Sequence, residues 1–134
     1  MNETSGPAGA PDDEAVALAH TLFDAAREGN SDLLRSYLNA GAPAGMSNAA
    51  GDSLLMLAAY HGHAETVQLL LHHGAEANAA NDRGQTPLAG AVFKGYTDVA
   101  RVLIDAGADP DAGAPTAREA ARMFARSEIL ELLG

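Results

Sequence analysis

Cysteine and tryptophan are both absent from the 134 residues of this chain. Without a thiol, disulfides, cysteine nucleophiles and cysteine-ligated zinc are excluded. Basic residues are scarce as well, because eight Lys and Arg stand against eighteen Asp and Glu, for a formal net charge of -10. Such a charge repels the phosphate backbone of nucleic acids. We therefore expect a chain with no nucleic-acid partner.

Long apolar runs are also missing. The longest, Leu54 to Tyr60, is far too short to span a membrane, and residues 1–11 lack the basic and apolar stretch of a signal peptide. Those eleven residues are rich in Gly, Pro, Ala and Ser without periodicity, which predicts a disordered N-terminal segment. We expect a cytoplasmic protein with no membrane partner and one folded domain over residues 12–134.

What the chain does contain is a repeat of 33 residues. Glycines recur at this spacing in three series: Gly29, Gly62 and Gly95; Gly41, Gly74 and Gly107; Gly51 and Gly84. A fixed period of this length is typical of a solenoid. The pattern predicts about four helix pairs, over approximately 12–47, 48–80, 81–113 and 114–134, with two full repeats between two capping pairs. So short an array predicts modest stability and strong mutual dependence between units.

The first predicted helix runs from Asp12 or Asp13 to about Glu28. Its apolar stripe comprises Val16, Leu18, Ala19, Leu22, Phe23 and Ala26. Positions spaced in this way lie on one face of an amphipathic helix. With a second helix from about Asp32 to Asn39, we expect this helix to form the pair that caps the amino end of the stack.

The two central units resemble ankyrin repeats. Residues 84–88, Gly-Gln-Thr-Pro-Leu, match the turn and helix start of that family; Gly62-His63 matches its break between helices, and residues 107–109, Gly-Ala-Asp, its closing turn. The resemblance covers roughly residues 15–134 and implies an all-α ankyrin-repeat solenoid of stacked helix-turn-helix units with short β-hairpin or turn fingers. The family's Thr-Pro-Leu-His start is altered, since Met56 and Ala89 replace its histidine and Ser53 its threonine in the first central unit.

Four of the five histidines lie in one unit, at His61, His63, His72 and His73. His63 begins the second helix of that unit and His72 and His73 end it, roughly 13 Å away along the axis. One ion cannot bridge that distance. The resemblance gives His63 a structural role, so we expect no metal and no cofactor.

Motifs for catalysis are incomplete. Residues 63–65 have the H-x-E form of a zinc deaminase but lack the cysteines that complete that site. Residues 109–113 look like the start of a calcium loop, but the twelfth position holds Ala120 instead of a glutamate. No phosphate-binding glycine loop or nucleophile elbow is present. The sequence therefore predicts that the protein is not an enzyme.

The resemblance implies that the fingers and first helices line a concave face that binds a protein. The candidate residues at equivalent positions of that face are Arg27, Tyr60, His61, Asp82, Arg83, Gln85, Phe93, Lys94, Met123 and Phe124. Tyr60 and Phe93 are one repeat apart, which predicts that their rings stack. Aromatic and Arg side chains dominate binding hot spots. The leading interpretation is a monomeric adaptor or inhibitor, whose acidity favours a partner with a basic surface.

Three alternatives stay open at this point. Tyr60 and Phe93 could serve only to pack adjacent helices. The histidines could form a metal or pH sensor. The chain could instead self-associate through Leu130, Leu132 and Leu133 near its C-terminus. A high alanine content and a preference for Arg over Lys indicate a bacterial source.

Overall fold

The computed structural model describes residues 13–134, and the predicted N-terminal segment 1–11 lies outside them. Over the described range the chain forms eight α-helices: α1 (Asp13–Glu28), α2 (Ser31–Asn39), α3 (Leu54–Tyr60), α4 (Ala64–His72), α5 (Pro87–Lys94), α6 (Thr97–Asp105), α7 (Ala117–Met123) and α8 (Ser127–Leu133). The predicted all-α solenoid is therefore confirmed.

The helices form two layers. The odd-numbered helices pack side by side in one layer, and the even-numbered helices pack side by side in the other. Each odd-numbered helix also packs against the even-numbered helix that follows it. Leu55 and Leu88 from the first layer and Leu34, Leu70 and Leu103 from the second are almost completely buried. The core is thus shared between successive pairs, as in other solenoids.

Hydroxyl side chains start three of the first-layer helices. Ser53, Thr86 and Thr116 each accept a hydrogen bond from the backbone N–H three residues later, at 3.0, 3.1 and 3.0 Å. These bonds satisfy N–H groups that have no partner within the helix. Ser53 replaces the threonine of the family pattern, and it caps α3 with the same bond that Thr86 makes at α5.

The fingers that precede α3 and α5 are turns held by the asparagine side chains of Asn48 and Asn81. In the part of the chain that the structure describes, the only isolated β-bridge is antiparallel, between Ser47 and Ser53. The side-chain oxygen of Asn81 accepts from the N–H groups of Arg83 and Gln85 at 2.9 and 3.0 Å, and its nitrogen donates to Asp52 Oδ1 at 2.9 Å. One asparagine thus shapes its own finger and binds it to the preceding finger.

The residue just before α4, α6 and α8 joins its helix pair to the pair before it, and we call each such contact a joint. His63 Nε2 lies 2.7 Å from the carbonyl oxygen of Arg27, and because a carbonyl only accepts, Nε2 carries the proton. The His63 ring also covers Gly29, where an added Cβ would lie 2.5 Å from Nδ1. The structural role expected for His63 is therefore confirmed.

Different side chains make the next two joints. The Tyr96 ring covers Gly62, 3.0 Å from the place of an added Cβ. Arg126 covers Gly95 and donates to the carbonyl oxygens of Val92 and Phe93 at 3.2 and 2.8 Å. The three joints thus share a geometry but not a residue type.

The first helix is longer than the helix against which it packs. α1 has 16 residues and α3 has seven. Leu22, Phe23 and Ala26 are buried as expected, but Val16 and Leu18 are 38% and 37% exposed. The predicted apolar stripe is therefore wrong over the first turns of α1, which extend past α3.

A buried pair of hydroxyl groups connects α2 to α4. Ser31 Oγ and Thr66 Oγ1 are 2.8 Å apart, and the residues are 7% and 1% exposed. We expect T66V to lower the free energy of unfolding by about 1–3 kcal/mol, because it leaves the Ser31 hydroxyl without this partner. The double variant S31A/T66V should cost less than the sum of the single variants. Urea unfolding followed by circular dichroism measures all three; strictly additive losses would contradict the prediction.

Candidate functional site

A row of three aromatic side chains crosses the first layer of helices. The rings of Tyr60 and Phe93 stack with centroids 6.4 Å apart and planes 8° from parallel. Phe124, which follows α7, meets Phe93 edge to face at 5.0 Å and 85°. The predicted stacking of Tyr60 on Phe93 is confirmed, and Phe124 extends it by one unit. We call Tyr60, Phe93 and Phe124 the aromatic row.

The members of the aromatic row differ in how much they contribute to the fold. Tyr60 is half-buried, and its Cδ1 lies 3.2 Å from the place that a Cβ would take at Gly90, as does Met56 Cε. Phe93 and Phe124 are 45% and 41% exposed. Tyr60 therefore has a packing role, whereas the two phenylalanines leave much of their rings open to contact.

A groove runs beside the aromatic row, and we call it the aromatic groove. One part is a hollow of about 150 Å³ lined by Met56, Tyr60, Gln85, Ala89, Gly90, Phe93, Pro115, Ala120 and Phe124. The adjoining part shares Met56, Tyr60 and Gln85 with the hollow and adds Asp52, Leu57 and Arg83. The hollow exists because its floor is made of small residues: Gly90 occupies the position that Leu57 has one repeat earlier.

Cations lie along this groove. Lys94 Nζ is 5.1 Å from the centroid of the Tyr60 ring, and the Arg126 guanidinium is 5.8 Å from that of Phe124. Contacts of this kind contribute about 0.5–1 kcal/mol at exposed sites. Among residues 13–134, neither Lys94 nor Arg83 has a carboxylate oxygen within ion-pair distance. The acidic residue of the groove, Asp52, accepts a hydrogen bond from Asn81.

The structure brings most of the sequence-predicted site residues together. The aromatic groove and the cations beside it contain Tyr60, Arg83, Gln85, Phe93, Lys94 and Phe124. His61 joins them through an edge contact with Tyr60 at 5.8 Å, while its Nδ1 is 2.8 Å from the carbonyl oxygen of Leu57.

Five of the ten predicted residues do not line the groove: Lys94 and His61, which lie beside it, and Arg27, Asp82 and Met123. Arg27 pairs with Asp24 at 2.9 Å. Asp82 is on a finger and donates its backbone N–H to Ala50 at 3.1 Å. Met123 is 66% exposed but does not line the groove. Sequence register identified their positions but could not show which side chains converge.

Sequence reasoning missed a second, more open groove near α1. It lies between the extended start of that helix and the first finger, and is lined by Val16, Ala19, His20, Phe23, Asp24, Arg27, Asn48, Ala49 and Ala50. The length of α1 relative to the other first-layer helices was the signal that could have found it.

His72 and His73 lie at the end of α4. His73 Nε2 is 3.1 Å from Asn39 Oδ1, and His72 is the last residue of α4. Within residues 13–134, no three His, Asp or Glu side chains are grouped to hold a metal ion.

The C-terminal leucines are part of the fold. Leu133 is buried, and Leu130 packs against the core. No helix in the described range has the length and apolar character needed to cross a membrane.

Arg118 fastens the last unit. It donates to Asp111 Oδ1 at 2.9 Å and to the carbonyl oxygen of Gly134 at 2.8 Å. Its hydrogen bond and charge hold the pKa of the Asp111 carboxyl below its ordinary value. Both groups titrate outside the neutral range, so this contact stays intact at neutral pH.

Comparison with known proteins agrees with the geometry. The family model for ankyrin repeats, described as three copies, matches residues 22–114. A Pseudomonas aeruginosa protein named "Putative ankyrin repeat protein PA3287" is 46% identical over 56 residues, which cover 42% of this chain and 33% of that protein. The matched segment thus spans about a third of the length of this curated relative. The chain belongs to the ankyrin repeat family.

Proposed function

We propose that this chain is a non-catalytic interaction module that binds a protein partner in the aromatic groove and acts as an adaptor or an inhibitor. Ankyrin repeats are generally protein–protein interaction modules. The observation that carries the proposal is the exposure of Phe93 and Phe124, at 45% and 41%, side by side on one surface. Adjacent exposed aromatic rings beside cations are typical of binding hot spots.

The surroundings of the groove extend the proposal. With a net charge of -10, the chain attracts a partner whose overall surface is basic and repels nucleic acid. We propose that it works in the cytoplasm. We also propose that it is a monomer, because Leu133 is buried and Leu130 packs against the core of the same chain.

Affinity capture from a lysate of the native host tests this function. The test variant is R83A/F93A, which removes two groove side chains and leaves Tyr60 on Gly90. The matched control is V16A/R101A, which removes an exposed apolar side chain and an exposed arginine elsewhere. We expect mass spectrometry to find a protein captured by the wild type and the control but not by R83A/F93A. Equal capture by all three would refute the groove as the binding site.

The single variant F93A should separate binding from folding. Because 45% of Phe93 is exposed, we expect its removal to change the free energy of unfolding by about 0.5 kcal/mol or less. The affinity for a captured partner should fall about tenfold or more. Isothermal calorimetry and urea unfolding measure the two quantities; a variant that loses stability without losing affinity would show that Phe93 serves the fold alone.

A further inference from the structure

We infer that the aromatic groove selects a protein segment in which a carboxylate side chain lies next to an apolar side chain. This inference rests on the proposed function and names the chemistry of the segment that the groove binds. The hollow at Gly90 binds the apolar side chain of the segment, and Lys94 and Arg83 bind its carboxylate.

The preference for an apolar side chain follows from the shape and lining of the hollow. Ala89, Gly90 and Ala120 are small residues in its lining, and Phe93 and Phe124 line it with partly exposed rings. A space of about 150 Å³ is comparable to apolar cavities that hold a benzene-sized group. One apolar side chain of a partner, such as leucine or phenylalanine, therefore suits it.

The preference for a carboxylate follows from cations that have no counter-ion. In the described part of the chain, five basic side chains have no carboxylate partner: Arg83, Lys94, Arg101, Arg122 and Arg126. Of these, Lys94 and Arg83 lie beside Tyr60 in the groove. Tyr60 links both to the hollow, because it lies under Lys94 and lines the groove together with Arg83. A carboxylate placed here forms a charge-assisted hydrogen bond, which is stronger than a neutral one.

The charge of the whole chain and the charge of the groove act over different distances. The net charge of -10 acts over distances up to about 8–10 Å, beyond which salt screens it, and it therefore steers the approach of a partner. Lys94 and Arg83 act only once the partner is in contact. A partner that is basic overall can thus present an acidic side chain in its docking segment. The three cations along the groove, Lys94, Arg83 and Arg126, are too few for strong binding to a nucleic-acid backbone, whose affinity grows with the number of neutralised phosphates.

A random peptide library displayed on phage tests the selectivity. We expect peptides selected on the wild-type chain to carry Asp or Glu within two residues of Leu, Ile or Phe. A synthetic selected peptide is then titrated by fluorescence anisotropy against the wild type, K94E and R101E. K94E should weaken binding about tenfold. R101E changes the net charge equally at an exposed position of α6 and should leave the affinity within about twofold.

Two further variants separate this inference from the proposed function. G90A narrows the hollow and should weaken the same peptide while the helix remains folded. If selected peptides show no acidic preference and bind K94E normally, but lose affinity for F93A, the acidic selectivity is overturned and the proposed groove remains. If they bind F93A and K94E as tightly as the wild type, both the inference and the proposed function are overturned.

Discussion

Replacing Leu88 with alanine should lower the free energy of unfolding by about 2–5 kcal/mol, which is the range for deleting a fully buried leucine side chain. Leu88 is 1% exposed and lies on α5, which packs against α3, α6 and α7. A cavity there weakens the packing of α5 against all three of these helices. Since small domains have total stabilities of about 5–15 kcal/mol, the loss is a large fraction of the whole.

Urea unfolding followed by circular dichroism measures this effect. The control is L18A, in which the side chain is 37% exposed on α1 and the expected loss is about 0.5 kcal/mol or less. A smaller slope of the unfolding free energy against urea would show that the units before and after α5 no longer unfold together. A loss below about 1 kcal/mol would contradict the central place given to Leu88.

Changing Gly29 to alanine should lower the free energy of unfolding by about 2–3 kcal/mol, through two separate effects. Gly29 has a φ of +75°, which costs a residue with a Cβ about 1–2 kcal/mol. The added Cβ also meets the His63 ring 2.5 Å away and displaces it from the carbonyl oxygen of Arg27. Loss of that hydrogen bond accounts for about 0.5–1.5 kcal/mol.

A second glycine separates the cost of backbone strain from the cost of displacing the His63 ring. Gly84 has a φ of +78°, but no heavy atom lies within 4 Å of its added Cβ. G84A should therefore cost only the backbone strain. In an H63A background, G29A should cost no more than G84A, because the joint is already lost. If G29A costs the same with and without His63, the ring does not act in the way proposed here.

Much of the fold could be predicted from local signals. The 33-residue spacing of glycines, the hydroxyl caps and the spacing of apolar residues each act within one unit, and the unit repeats. For the same reason, the stacking of Tyr60 on Phe93 followed from their separation by one period. The side chains of Arg83, Gln85 and Phe124 were identified through the same register, although their role in binding stays a proposal.

What could not be predicted depends on contacts between units. Tyr96 and Arg126 make the same joint as His63, but their side chains share no motif with histidine, so only the three-dimensional structure shows the equivalence. The hollow required knowing that Met56 and Tyr60 both lean on Gly90. The exposure of Val16 and Leu18 required knowing that α1 outreaches α3.

The joints at His63, Tyr96 and Arg126 have a consequence for how such arrays lengthen. Each side chain reaches back to the glycine of the unit before it and requires nothing more distant. If a copy of residues 81–113 were inserted after Gly113, the copy of Tyr96 would cover Gly95. Arg126 would then cover the copy of Gly95. Gene duplication in steps of one period can therefore lengthen the stack without any redesign of the core.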